Sequence, residues 1–293
     1  MENIITKIKS RQKNKISHGL AFNIMTILMW VWALSLIFVF VWGIFVSLSD
    51  GVYYSIDMSK FLPKKWRFKN YVDAITSLKV GDTKFLGMTF NSIWFSFSFT
   101  VIKLGSTVFA SYATARYKFK LRRFIYAFIV IQMMIPVYGT TIANYKFLFK
   151  FHLIDTPLIM ISWAAGHGMN FLILYSFFVN LHSGYEDAGR IDGASEWVIC
   201  FKLMLPMSVP ILVAMGIAMW TGLWNDAQTP LLYLPSYPTL ASGMFRYKEV
   251  AAFTLDIPTY FAGVLLSAIP PSVIFLIFSD TIMQNLTFGG LKG

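Results

Sequence analysis

Cysteine is all but absent from this sequence: Cys200 stands alone among 293 residues. A disulfide within the chain and a thiolate metal cluster are both excluded. Histidine is scarce too, with four residues scattered along the chain and no H-E-x-x-H pair, so no metal site is expected. No G-x-x-x-x-G-K-[ST] phosphate loop occurs, which removes the commonest means of holding ATP. The largest shortfall is in charge. Asp, Glu, Lys and Arg make up 13% of the residues, where soluble domains carry roughly 25%. Apolar residues take their place, at 56% of the chain and a mean hydropathy of +0.60. A chain with so thin a polar coat is a membrane protein.

The charge that remains is unbalanced, with 25 Lys and Arg against 14 Asp and Glu and a formal net charge of +11. In a multi-span protein such an excess belongs beside anionic lipid headgroups, and no nucleic-acid partner is expected.

A helix needs about 20 apolar residues to cross the hydrocarbon core, because each unpaired backbone group in lipid costs several kcal/mol. Six stretches have that length: 24–48, 89–111, 124–143, 157–181, 203–224 and 259–279. Prolines interrupt the third at Pro136, the fifth at Pro206 and Pro210, and the sixth at Pro270 and Pro271. Each removes a backbone donor and is expected to kink its span. Lys and Arg totals barely differ between the two sides. Short segments beside the spans decide orientation better, and the N-terminal cluster from Lys7 to Lys15 and the run from Arg116 to Arg123 both favour cytoplasmic termini. The expected organisation is a basic tail over 1–23, one all-α membrane domain over 24–283, and a short tail over 284–293. Between the first two spans, Tyr53, Tyr54, Trp66 and Tyr71 suit an aromatic belt on a short interfacial helix.

The fourth and fifth spans are joined by a loop, 183–206, reading SGYEDAGRIDGASEWVICFKLMLP. Tyr185, Ala188 and Ile191 recur at a spacing of three, giving a short amphipathic helix that Gly193 can end. Such a knob fits a groove on a partner protein. Its acidic residues argue against a helix that simply lies on anionic lipid.

This loop resembles the E-A-A-x3-G-x9-I-x-L-P signature of ABC-importer permeases. The chain has Asp187-Ala188-Gly189, three residues, Gly193, nine residues, then Leu203-x-Leu205-Pro206. The spacing is kept throughout, while Asp, Gly and Leu replace Glu, Ala and Ile. Asn91-Ser92, the Ser111–Tyr117 stretch, Met133-Met134-Ile135-Pro136, Asp155-Thr156, Trp224-Asn225 and the GGLKG ending carry the likeness across the chain. Together they resemble the shorter, six-span permease of the maltose-type sugar importers.

That resemblance implies the type I importer fold in a bacterial inner membrane, with both termini cytoplasmic. It also implies a second permease, two cytoplasmic ATPases holding ATP and Mg, an extracytoplasmic sugar-binding protein and an oligosaccharide cargo. No cofactor is expected on this chain. The loop helix then docks on an ATPase through Glu186, Asp187, Ala188, Gly189, Asp192 and Gly193. The two glycines would allow close approach, and the three acids would pair with basic groups on the ATPase rim. Ser242, Gly243 and Met244, on the long loop before the sixth span, are expected to reach the binding protein.

Polar residues within the spans are candidates for the sugar's path. Lys103 lies inside the second span, where a charge costs at least about 2.5 kcal/mol on insertion scales. It either meets an acidic sugar or makes a structural contact. His167 and Asn170 share a face beside Gly166 and Gly168, which suits a sugar path or close helix packing. Trp220, Trp224 and Asn225 could stack on and bind a sugar, or form an aromatic belt. Two other classes compete. A secondary transporter or channel needs relays of ionisable residues within spans, and only Lys103 and His167 qualify. A membrane-embedded hydrolase needs a nucleophile–base or metal constellation, and none is legible.

Overall fold

The computed structural model describes residues 20–56, 61–135, 139–164, 168–254 and 256–287. The basic N-terminal cluster, Pro136, His167 and the GGLKG ending lie outside them.

Helix α1 (Leu20–Ser47) holds 28 residues, about 42 Å at 1.5 Å per residue. Trp30, Trp32, Phe38 and Phe40 are all more than half exposed, as in a span that meets lipid all round. Only its last turns are covered, where Trp42 meets the edge of Phe261 at 5.5 Å. Two short helices follow, α2 (Gly51–Ile56) and α3 (Lys69–Ser77), then a hairpin of β1 (Lys79–Val80) and β2 (Thr83–Lys84). Buried Asn70 on α3 donates to the Ser47 and Ser49 carbonyls at 2.8 Å. These are the acceptors a helix end leaves open.

Helix α4 (Phe85–Arg116), 32 residues long, is the central post. It packs against α8 (Gly168–Asn180), α11 (Leu205–Trp224) and, beyond the short α12 (Gln228–Tyr233), α13 (Leu240–Thr254). Its buried faces are lined by hydroxyls: Ser92, Ser96, Thr100, Thr107, Ser111 and Thr114. Several return their proton to their own helix, Ser96 to the Ser92 carbonyl at 2.6 Å and Thr114 to Ala110 at 2.7 Å. Small side chains satisfied in this way let neighbouring helices approach closely.

Among the described residues, four continuous helical stretches are long and apolar enough to cross a bilayer: α1, α4, the rod from Glu196 to Trp224, and α14 (Ile257–Thr287). The other two expected spans are each built from two pieces. The third is α5 (Arg122–Met134) and α6 (Thr140–Lys150); the fourth is α7 (Ile159–Ser162) and α8. At 13 residues, α5 and α8 reach only about 20 Å each. Helix α5 stops because Ile135, at φ −91° and ψ 108°, precedes a proline, which disfavours helical backbone there. Gly139, at φ +79°, turns the chain into α6. The prolines of the fifth and sixth spans behave differently: Pro210, Pro270 and Pro271 lie inside helices that continue. Helix α14 also runs past residue 283, the expected end of the membrane domain.

Candidate coupling site

The 183–206 loop folds as α9 (Gly184–Ile191), a short turn, α10 (Glu196–Val198) and a π-helical segment, Ile199–Met204, that feeds α11. Gly193 ends α9 at φ +75°. Its N–H donates to the Arg190 carbonyl at 3.1 Å, and the Ala194 N–H to Gly189 at 2.9 Å. This paired closure needs a left-handed residue, which glycine supplies without strain. Ser195 then caps α10 by accepting from the Val198 N–H. The π segment falls just before Pro206, whose ring would crowd the carbonyl four residues back in a regular helix; the wider turn relieves this.

The inward face of α9 is fixed to its own chain. Gly189 is buried, and a Cβ there would stand 3.1 Å from Ile199 and 3.2 Å from Leu203. Glu186 is only 5% exposed. Its carboxylate lies 3.2 Å from Nε of Arg116, at the end of α4, and 3.8 Å from Arg190. Burial pushes the Glu186 carboxyl up, against the pull of the two arginines. These two findings correct the sequence-based expectation. Gly189 gives close approach within the chain, and Glu186 has its basic partner there already.

The outward face has the expected composition. Ile191 is 85% exposed and Trp197 71%, with Tyr185, Asp187, Ala188, Asp192 and Gly193 exposed around them. Arg190 organises the acids, holding Glu196 at 2.9 Å and Asp187 at 3.3 Å. The result is an apolar tip with carboxylates at its rim.

At the opposite end of the bundle two expectations are overturned. Ser242 and Met244 are buried, and a Cβ on Gly243 would collide with the Met88 sulfur on α4. This triplet therefore packs α13 onto α4 and does not project. The exposed part of α13 lies further on, at Phe245 and Phe253, the latter 90% exposed. Trp224, a candidate for sugar stacking, is likewise buried, and its indole N–H donates to the Ser267 carbonyl of α14 at 3.0 Å. Half-buried Trp220 leans on it at 5.0 Å between ring centres, and exposed Asn225 donates to the Thr221 carbonyl at 2.9 Å.

Mid-bundle, Lys103 is half-buried and Asn170 sits half-buried in the first turn of α8. One turn beyond Lys103, Ser106 donates to the Ala164 carbonyl at 2.7 Å, where the fourth span is interrupted. The structure does not bring the five described path candidates into one site; the sixth, His167, lies outside the described residues.

Comparison with known proteins decides the family. The description "Binding-protein-dependent transport system inner membrane component" matches residues 106–288. The chain belongs to this family. Among its relatives, this permease is 28% identical over 267 residues to the diacetylchitobiose uptake system permease protein of Streptomyces coelicolor, covering 89% of this chain and 86% of that one. It is 31% identical over 205 residues to an arabinooligosaccharides transport system permease protein of Halalkalibacterium halodurans, covering 69% and 73%. A solved bacterial ABC transporter involved in import of the acidic polysaccharide alginate shares the fold, at a TM-score of 0.76 and 19% identity, over 91% of this chain and 98% of that one. The permease thus has the type I importer fold.

Two residues of the site escaped sequence reasoning. Arg116 reads as one member of a basic run, and Glu196 as one acid among several in the loop. Both act on partners about 65 to 80 positions away (Arg116 on Leu181 and Glu186, Glu196 on Tyr117), which local pattern does not reveal.

Proposed function

We propose that this permease forms half of the path by which an ABC importer carries an oligosaccharide inward, driven by separate ATPases that dock on α9. The observation that carries the reading is the α9 tip. Ile191 at the end of α9 and Trp197 on α10 stand exposed among Asp187, Asp192 and Glu196, on helices too short to be stable without packing. A cleft with apolar walls and basic edges on a cytoplasmic ATPase complements that surface, and closure around ATP and Mg would move α9 and the helices bound to it. The matching relatives named for diacetylchitobiose and arabinooligosaccharides support an oligosaccharide cargo delivered by an extracytoplasmic binding protein. A second permease would complete the path and cover part of the exposed apolar surface of α1 and α4. Both termini and α9 lie in the cytoplasm in this reading. The chain itself hydrolyses nothing.

The test is Ile191→Asp together with Gly193→Trp. A Cβ at Gly193 meets nothing within 4 Å, so the tryptophan acts through its bulk on the docking face and the left-handed strain. Each variant is expected to insert normally, to lose capture of the ATPases and to lose uptake. Retained ATPase capture with normal uptake would reject the coupling assignment.

A further inference from the structure

The loop is attached to the bundle in two chemically different ways. Toward α11 the attachment is apolar, with Gly189 seated on Ile199 and Leu203 of the π segment. Toward α4 and α8 it is polar: Tyr117, just past α4, donates to Glu196 at 3.2 Å, and one buried side chain reaches the ends of both helices. Arg116 is the last residue of α4, and its side chain is only 11% exposed. Its Nε lies 3.2 Å from a carboxylate oxygen of Glu186 on α9, an ion pair without an aligned hydrogen bond, and its Nη2 donates to the Leu181 carbonyl, just beyond α8, at 2.6 Å. One guanidinium therefore holds the ends of two membrane helices and the loop helix together. Its planar fork has the geometry for two partners at once, which a lysine lacks.

We propose that Arg116 is a positioning residue that makes α9, the adjoining half of α4 and the adjoining half of α8 a single moving body. A pull on α9 then reaches the centre of the bundle through α4 without slack. The proposal rests on the coupling role proposed above. Its sequence cue, a basic run beside a span end, otherwise reads only as a topological signal. Without Arg116, Glu186 keeps just the 3.8 Å contact with Arg190 on its own helix, and the polar tie to α4 is left to the exposed chain Arg190–Glu196–Tyr117. A buried carboxylate left so weakly paired is strongly unfavourable, and α9 would be free to slide on its apolar seat.

The experiment uses the assembled importer with its ATPases in lipid nanodiscs, Cys200 replaced by alanine, and spin labels at Ser183, which opens α9, and Val101 of α4. Both are exposed positions. The distance between labels is measured without nucleotide and after trapping with ATP and vanadate. The native pair is expected to give one distance in both states. Arg116→Met should shift or broaden it by about 2 Å or more on trapping, the scale of a helix shift. A native distance that changes on trapping, or an Arg116→Met complex that behaves as native, would overturn the proposal. Should Arg116→Met not assemble, Glu186→Gln, which keeps the shape and removes the charge, decides in the same way. A photo-crosslinker at Ile191 reports separately on the coupling role: no ATPase adduct would reject that role whatever the distances show.

Discussion

Gly189 lies within one short helix and Gly193, four residues on, just past its end, and they are glycines for different reasons. At Gly193 the backbone is left-handed with open space around it, so alanine there costs about 1–2 kcal/mol of backbone strain and little else. At Gly189 the neighbours are within 3.2 Å. Gly189→Leu overpacks the contact with Ile199 and Leu203, a cost of about 1–3 kcal/mol. It should lift α9 off the bundle, read as a lower Tm in detergent and faster proteolysis of the loop; unchanged values would contradict the packing described. Lys103 carries the other residue-scale prediction. It lies on the face of α4 that looks toward the interrupted fourth span, where main-chain carbonyls such as that of Ala164 are free of regular helix bonding. We therefore expect Lys103→Met to change uptake of a neutral oligosaccharide by no more than about twofold, with a loss of about tenfold, or 1.4 kcal/mol, placing the ammonium on the sugar's path instead.

Among the elements, legibility followed the continuity of the apolar run. The first, second, fifth and sixth spans read directly because each is one long helix. The third did not, since a proline in an apolar run is compatible both with a kink and with an end; the fourth did not because its first piece ends at Ser162 with no proline to mark the place. At Ile135 the chain takes the end, whereas at Pro210, Pro270 and Pro271 the helix continues. The composition of the outward face of α9 was readable from spacing alone. Its inward face was not, because Glu186 and Asp187 are adjacent acids of which only contact with Arg116 shows which is buried. The same holds for α13. The string Leu240–Met244 consists of small and apolar residues that suit a loop tip or a packed helix turn equally, and its burial depends on Met88, about 155 positions earlier. Surface contact on this element passes to its exposed aromatic end. Phe253→Asp is expected to leave the Tm unchanged and to weaken stimulation of the ATPases by the loaded binding protein. Equal stimulation would remove α13 from that interface.

The whole molecule has the exposed apolar flanks of a subunit and an unpartnered docking knob at one end. In the function proposed above, energy for transport arrives by contact with separate ATPases. The hydroxyl-lined central helix lets α8, α11 and α13 close tightly on one post, and that post is tied to the knob by Arg116. Movement imposed at α9 is thereby carried into the bundle, which is what an importer powered from outside its membrane subunits needs. The most direct measurement is accumulation of labelled arabinooligosaccharides and diacetylchitobiose in proteoliposomes holding the two permeases and the binding protein, with and without the ATPase subunits. The account predicts ATP-dependent accumulation of at least one sugar when the ATPases are present, and none when they are left out. Accumulation against a gradient in their absence would contradict it.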